Sequence, residues 1–239
     1  MESYASQGAY FNRPVPGAVG WHIHSYNDTI GNALEIMAPT FGSTYAQLAA
    51  EDLVEGDSDQ AGDTTQSLTV WGINNSGKKQ RETIALNGTT AVNGTVTWRY
   101  IENIRCDALS AGIMFLSRDT GNTYIMEVEA GLLTSNIAQH FNGEDASYIT
   151  GFAGGIYDTT MDCLFELRWY PDDASCLTSA GYEVLDRITC LVETVEPHPR
   201  VYAQPIGPLP PGGWIVVYAL ANGASAKGFC TLQGFDVGV

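Results

Sequence analysis

The chain has 239 residues, and 44% of them are hydrophobic, which suffices for a packed core and excludes a disordered protein. Its net charge is −16 with only 11 Lys and Arg residues, so it lacks the basic patches that bind a nucleic-acid backbone. Charged residues make up 16% of the chain, below the usual roughly 25%. The surface must therefore be largely polar and uncharged, which suits a protein packed among other copies.

The first twenty residues, Met1 to Gly20, have neither the basic start nor the apolar core of a signal peptide. Their two prolines favour an extended chain. We predict an extended N-terminal arm over residues 1–20 that docks on a neighbouring subunit, with Tyr10, Phe11 and Arg13 among its contacts. The chain has no run of the roughly 18 apolar residues that a membrane-spanning helix needs, so no membrane partner is expected.

The next segments are mixed in pattern. Alternating side chains predict a strand over Trp21 to Tyr26, and Ala33 to Ala38 fits either a second strand or one helical turn. Apolar residues in Tyr45 to Val54 recur at helical spacing and predict the one helix of the chain. Glu55 to Thr65 is acidic and Gly-bearing, which indicates a solvated loop.

From Ser67 onward, alternating apolar and polar residues predict strand after strand, separated by Asn-Gly and Asp-Thr-Gly turns. Evenly spaced strands without helices between them indicate an all-β fold. We predict a single β-sandwich domain of jelly-roll type over residues 21–239, in which the Pro-rich stretch Pro205 to Gly213 lies at an edge or between sheets. The predicted strands are Ser67 to Ile73, Arg81 to Leu86, Val96 to Cys106, Gly112 to Ser117, Thr123 to Glu129, Ser147 to Tyr157, Cys163 to Tyr170, Ile188 to Thr194, Trp214 to Leu220 and Gly228 to Phe235.

One segment carries a resemblance to a known class of proteins. The sequence ETIALNGTTAVNGTVTWRYIENI, from Glu82 to Ile104, resembles a recurring segment in structural proteins of tailed bacteriophages. The later part is similar in outline, with the aromatic segment Tyr148 to Phe152, a strand ending at Tyr170, a Pro-rich phrase and a final pair of strands. The resemblance covers roughly Ser67 to Gly234. It implies a virion component and not an enzyme.

Two groups of residues suggest metal binding, and neither pattern is complete. His22 and His24 lie on one face of a strand, but two ligands do not make a site. Asp57, Ser58, Asp59 and Asp63 resemble part of a calcium loop. Ala61 and Leu68 occupy positions where an EF-hand needs oxygen ligands, so a solvated acidic loop is the favoured interpretation, although another calcium geometry stays open. We predict no bound metal and no cofactor.

Candidate catalytic residues are weakly indicated. Glu127, Glu129 and Glu166 lie in predicted strands, and a glycosidase would need two such carboxylates facing each other across a cleft. The chain contains no GxSxG nucleophile elbow and no glycine-rich phosphate loop. The five cysteines are widely spaced without a CxxC pair, which favours buried thiols in a reducing cytoplasm. We predict that the protein is not an enzyme.

Aromatic residues in the predicted strands are the better candidates for function. Most are expected in the core, but Trp and Tyr are enriched at subunit interfaces and can also stack on sugars. The predicted interface residues in the β body are Trp71, Trp98, Tyr157, Trp169 and Trp214.

These observations together predict a non-enzymatic bacteriophage virion protein that is assembled in the host cytoplasm. Capsid decoration, cement or a head- or tail-associated component is favoured over a capsid subunit proper. Its partners would be other virion proteins and further copies of itself in closed symmetry, for example a trimer. A host-receptor or carbohydrate-binding module is the alternative from another functional class.

Overall fold

The computed structural model describes residues 17–37, 51–119, 124–133, 135, 139–157, 161–172, 180–191, 198–223 and 226–238. The all-β fold class predicted from the sequence is confirmed, because these residues form strands and no α-helix. None of them forms a helix long and apolar enough to cross a membrane. The strands are β1 (Ala18–Ile30), β2 (Glu35–Ile36), β3 (Val54–Ser58), β4 (Ser67–Asn74), β5 (Lys79–Ala85), β6 (Val92–Asn93), β7 (Trp98–Cys106), β8 (Met114–Arg118), β9 (Tyr124–Val128), β10 (Gln139–Phe141), β11 (Asp145–Ile156), β12 (Cys163–Tyr170), β13 (Glu183–Cys190), β14 (His198–Leu209), β15 (Trp214–Ala221) and β16 (Ala226–Gly238).

The chain divides into two compact units. Unit 1 comprises Met1–Pro39 together with Ala138–Val239, and unit 2 is the continuous stretch Thr40–Ile137. Unit 2 is therefore inserted in the connection between β2 and β10. The division into an arm over residues 1–20 and one domain over residues 21–239 stays a prediction. Residues 1–16 of the predicted arm lie outside the described residues, and Ala18 to Gly20 are the first residues of β1.

Unit 1 is built from two antiparallel sheets. Sheet I has the order β1-β16-β11-β14, and sheet II has the order β10-β15-β12-β13 with β2 also paired to β15. When β2 is left out, this unit has eight described strands, which are numbered here in chain order. The first pairs with the eighth (β1 with β16), the second with the seventh (β10 with β15), the third with the sixth (β11 with β14), and the fourth with the fifth (β12 with β13). Every one of these pairs is antiparallel.

The two sheets of unit 1 face each other through tightly packed side chains. Phe165 of β12 in sheet II is buried against the backbones of β11 and β16 in sheet I. A methyl group on Gly154 would lie 2.6 Å from the Phe165 ring, and one on Gly228 would lie 3.0 Å from it. Glycine at these positions makes room for the aromatic ring between the sheets. The same interior holds Ile23, Ile149, Phe152, Leu167, Ile188, Cys230 and Leu232.

Unit 2 contains sheet III, with the order β6-β3-β8-β9, and sheet IV, with the order β5-β4-β7. The β4–β5 hairpin closes through Asn74 to Gly77, where Gly77 has a φ of 74°. A methyl group on Gly56 of β3 would lie 3.2–3.4 Å from the side chains of Leu68, Ile84 and Leu86, so β3 packs closely against these side chains. The alternation of Leu68 and Val70 with half-buried neighbours on β4 appears as predicted.

Two elements differ from the sequence-based expectation. The predicted helix over Tyr45 to Val54 is wrong in its described part, because Glu51–Leu53 are irregular and Val54 begins β3. The predicted acidic loop is also wrong over Glu55 to Ser58, which belong to the same strand. This segment forms a strand because Gly56 and Ser58 pair with β8 and are buried there. That pairing depends on a distant strand, so the local composition does not indicate it. The first part of the Pro-rich stretch, Pro205 to Leu209, does lie in an edge strand, since β14 ends sheet I, whereas residues 210–213 follow that strand.

Candidate interaction surface

The outer face of sheet I is the surface formed by the side chains that point away from sheet II. Alternation on β1 buries Ile23 and Ser25 while exposing His22 and His24. The same alternation on β16 buries Cys230 and Leu232. Strand register therefore assembles one continuous face. Its described members include His22, His24, Tyr26, Tyr148, Ala153, Tyr157, Pro199, Val201, Lys227, Phe229, Thr231, Gln233 and Phe235.

Aromatic rings form two groups on the outer face: Tyr148 stacks on Phe235 at 5.0 Å, and a more exposed group surrounds Tyr157. The ring of Tyr157 lies 4.9 Å from that of Phe229 with an interplanar angle of 33°, and the His24 ring lies 6.4 Å from Phe229. Tyr157 is 61% exposed, the largest exposure among the aromatic side chains that the structure describes as exposed. An exposed tyrosine supported by a second ring supplies apolar area at low entropic cost, which is typical of binding surfaces.

The outer face is nearly free of charge. Among its described members only Lys227 carries a formal charge at neutral pH, although the chain as a whole has a net charge of −16. His24 is exposed, but partial desolvation of its ring lowers its pKa from the ordinary 6.5, which favours the neutral imidazole at pH 7. Polar groups on the face are the uncharged Thr231 and Gln233. The acidic side chains that the structure describes therefore lie elsewhere.

The sequence-predicted interface residues fall in different places. Tyr157 lies on the outer face and is exposed. Trp98 is fully buried in unit 2, where its indole N–H donates to Glu82 Oε1 at 2.9 Å, and Trp214 is buried in sheet II with its ring 5.1 Å from that of Phe141. Trp71 and Trp169 are half-buried. The remaining three, Tyr10, Phe11 and Arg13, lie outside the described residues.

Phe229 and Thr231 were not singled out from the sequence, although both lie in a predicted strand. Their alternation with Cys230 and Leu232 places them on one face, but it does not say which face is buried. The pairing of His22 and His24 on one face was predicted and is observed. Among the described residues, no three His, Cys, Asp or Glu side chains come together in a metal-binding group.

A Ser, His and Asp cluster lies inside unit 1 but is not arranged as a catalytic triad. Asp236 Oδ1 accepts hydrogen bonds from Ser147 Oγ at 2.5 Å and from the indole N–H of Trp21 at 2.9 Å. His140 Nε2 lies 3.1 Å from both oxygens of the same carboxylate, and its ring stacks on Trp21 at 4.2 Å. The serine hydroxyl donates to the aspartate instead of to the histidine, so the contacts do not have the serine–histidine–aspartate order of a catalytic triad. The cluster joins β1, β10, β11 and β16.

The carboxylate of Glu166 is likewise held in a structural network. It accepts Arg168 Nε at 2.5 Å and Arg187 Nε at 2.6 Å, and both Glu166 and Arg168 are buried. Burial alone would raise the pKa of Glu166, but hydrogen bonds from the two guanidinium groups outweigh it and lower this pKa. The Arg168 guanidinium also lies over the rings of Tyr182 at 3.8 Å and Tyr218 at 4.3 Å.

These contacts do not suit Glu166 to acid catalysis in a glycosidase, which requires a carboxylic acid with a raised pKa. The other two candidates, Glu127 and Glu129, belong to unit 2, and Glu127 is buried in β9. The prediction that the chain is not an enzyme stays a prediction. The residues of the outer face are instead suited to binding another surface.

The partial calcium pattern is a structural turn in its described geometry. Asp63 is buried and accepts hydrogen bonds from the backbone N–H groups of Ala111 and Gly112, both at 3.0 Å, and from Ser58 Oγ at 2.7 Å. Asp59 Oδ1 accepts from the N–H of Ile113 at 3.0 Å. These carboxylates tie the loop after β3 to the loop before β8.

Comparison of the chain with protein-family models, with curated proteins and with solved structures found no match.

Proposed function

We propose that this chain is a non-enzymatic structural protein of a bacteriophage particle that acts by assembling with neighbouring subunits. The observation that carries the proposal is the strand pairing in unit 1, first with eighth through to fourth with fifth. A long antiparallel ribbon that wraps around a core would give this order, and the order supports the proposal of a jelly-roll sandwich, an architecture that viral capsid domains use. Because one fold serves many functions, the surface must carry the rest of the argument.

The uncharged outer face supports assembly as the mechanism. Two copies of a chain with a net charge of −16 repel each other, and the repulsion costs least where acidic side chains are missing from both contact surfaces. Aromatic and small polar side chains, such as Tyr157 and Thr231, are compatible with burial there. The outer face is therefore the surface on which a neighbouring subunit would dock.

The size of the outer face indicates how such contacts would act. Four strands about 4.8 Å apart, over about eight residues at 3.4 Å each, give a patch of roughly 500 Å². A stable pairwise interface buries about 800 Å² per partner. A single contact would then be weak, and many copies on one particle would provide the stability through effective concentration.

The predicted N-terminal arm, residues 1–20, and the segment Glu82 to Ile104 complete the proposal. The arm would add contact area to a neighbouring subunit and would order on docking. The resemblance of the segment to phage structural proteins favours a virion component, and the net charge of −16 favours a decoration, cement or head- or tail-associated role. A capsid subunit proper is the alternative within the same class, and closed symmetry such as a trimer would cover exposed strand edges.

The test places a carboxylate in the centre of the outer face. Thr231 lies on β16 between His24 of β1 and Ala153 of β11. We expect Thr231→Glu to reduce the amount of the chain incorporated into purified particles of the encoding phage by tenfold or more. Sedimentation at several concentrations should show self-association weakened by a similar factor. Thr83→Glu, at an exposed strand position of unit 2, is the matched control and should assemble normally. If mass spectrometry finds no wild-type chain in purified particles, the proposal fails.

A carbohydrate-binding module is the second candidate, and the exposed Tyr157 ring supports it. An exposed aromatic ring supported by a second ring, as Tyr157 is by Phe229, can stack on the face of a sugar. A glycan array would show selective binding that Tyr157→Ala removes. A chain that is found in particles and binds no glycan would favour the assembly role instead.

A further inference from the structure

Two cysteines that are far apart in the sequence lie directly opposite each other in sheet II. Cys163 begins β12 and Cys190 ends β13, and the register of the antiparallel pair matches them as partners. Neither forms a disulfide, and their exposed fractions are 1% and 0%. Opposite residues of an antiparallel pair have Cα atoms about 4.5–5.5 Å apart, inside the roughly 4.4–6.8 Å range that disulfides span.

The two thiols also point to the same side of the sheet. Directly paired residues on neighbouring strands share a face, and this face includes Phe165, which is buried against sheet I. The other described cysteines are placed differently. Cys230 is paired with Ser25 and Gly154, and Cys106 is paired with Leu68, so neither has a cysteine opposite it.

We propose that Cys163 and Cys190 are a latent disulfide site, which closes when the chain folds in contact with an oxidised thiol such as glutathione disulfide. The thiolate of one cysteine attacks glutathione disulfide, forms a mixed disulfide and releases one glutathione thiolate. The second cysteine attacks the protein sulfur of that mixed disulfide and releases the second glutathione. Two protein thiols are thereby oxidised to one disulfide, and one glutathione disulfide is reduced to two glutathione molecules.

The burial of the pair determines when this exchange can take place. Both sulfurs are shielded from solvent in the folded chain, and burial raises the pKa of Cys190 to about 11, so little thiolate forms at neutral pH. The reduced folded protein should therefore resist oxidation. The disulfide should close during folding, while β12 and β13 are still accessible. This site is independent of the proposed function, since it concerns the interior of unit 1.

The experiment refolds the denatured, reduced full-length chain in a glutathione redox buffer, blocks remaining thiols with iodoacetamide and maps the peptides by mass spectrometry. We expect a Cys163–Cys190 cross-linked peptide pair, two hydrogens lighter than the reduced pair. The loop it closes has roughly thirty residues, so the melting temperature should rise by roughly 5–10 °C and fall back after reduction. The folded chain incubated in the same buffer should stay largely reduced.

Variants separate this pair from the other thiols. Cys190→Ala should lose the rise in melting temperature, whereas Cys106→Ala should keep it. The peptide map of the wild-type chain decides the question even if a variant does not fold. Separate glutathione adducts on Cys163 and Cys190, a cross-link to a different cysteine, or fully reduced thiols after oxidative refolding would each overturn the proposal.

Discussion

At the scale of single residues, the acidic side chains of this protein have two different roles. Most raise the negative charge of the surface, but Asp63, Glu166 and Asp236 are buried and accept several hydrogen bonds each. A buried carboxylate that lost these donors would be strongly destabilising, so each marks a place where the chain depends on one conformation. The donors of Asp236, and the backbone donors of Asp63, come from distant strands or loops, so the sequence does not distinguish these two carboxylates from surface acids. Glu166 differs, because its donor Arg168 lies in the same strand.

The Asp63 network predicts a pH dependence of stability. Burial alone would raise the pKa of Asp63, but donors from Ala111, Ser58 and Gly112 outweigh it and hold this pKa below the ordinary 3.8. A carboxyl group with a lower pKa in the folded state stabilises the fold above pH 3.8, and this contribution is lost as the pH falls through the folded-state pKa. We expect Asp63→Asn to lower the free energy of unfolding by about 2–3 kcal/mol at pH 7 and to flatten its decline in acid. Urea unfolding from pH 7 down to pH 2 measures both.

The control for this prediction is Glu51→Gln, which removes a charge from an exposed residue and should change stability little. The same series tests the calcium alternative. Millimolar calcium should leave the melting temperature of the wild-type chain unchanged, because backbone N–H groups already engage Asp63. A calcium-dependent rise that Asp63→Asn abolishes would instead identify a cation site in this loop.

At the scale of elements, sequence alternation found the strands that bury one face and missed those that depend on their partners. β12 was predicted with its observed bounds, because apolar residues and a Tyr-Pro turn define it. β10 has only three residues, too few for a period to show. β14 contains three prolines, and its register with β11 shifts between the pair Val201–Gly151 and the pair Ile206–Ile149. The local sequence pattern therefore does not predict how this strand pairs.

Sheet packing in unit 1 predicts coupling between Gly154 and Phe165, which belong to different sheets. Gly154→Ala would place a methyl group 2.6 Å from the Phe165 ring, and we expect a loss of about 1–3 kcal/mol in the free energy of unfolding. Phe165→Leu removes part of the ring volume, so Gly154→Ala should cost less in that background. A double-mutant cycle by urea unfolding should give a coupling of about 0.5–3 kcal/mol.

Gly62→Ala is the control for the added methyl group, because nothing lies within 4 Å of its position. It should leave stability within about 0.5 kcal/mol of the wild-type value. Additive effects of Gly154→Ala and Phe165→Leu would show that the two sheets are not held together through this contact.

At the scale of the whole molecule, the sequence predicted the all-β class but not the division into two units. No shift in composition or charge marks the insertion of residues 40–137. The outer face shows the same limit. Tyr157 was predicted from the sequence as an interface residue. The rings that surround it on the outer face, Phe229 and His24, belong to β16 and β1, which are the last and first strands of unit 1 in the sequence. Long-range strand pairing brings them together, and no local pattern contains it.

The insertion predicts that unit 2 folds by itself. Residues 40–137 make a domain of roughly 100 residues, a size at which many chains fold alone. This unit has two sheets of its own and buried apolar side chains of its own. That core includes Val54, Leu68, Val70, Trp98, Ile104, Met114 and Leu116.

We expect the excised fragment 40–137 to show β-type circular dichroism and a single cooperative transition in urea. Trp98 is fully buried and its indole N–H donates to Glu82, which also accepts the N–H of Thr95 at 2.8 Å. Trp98→Ala should therefore abolish the cooperative transition of the fragment, since truncating a buried Trp costs about 3–5 kcal/mol, a large share of the stability of so small a domain. A wild-type fragment that is unfolded under conditions where the full chain is folded would mean that unit 2 requires unit 1, and that the inserted stretch is compact without being autonomous.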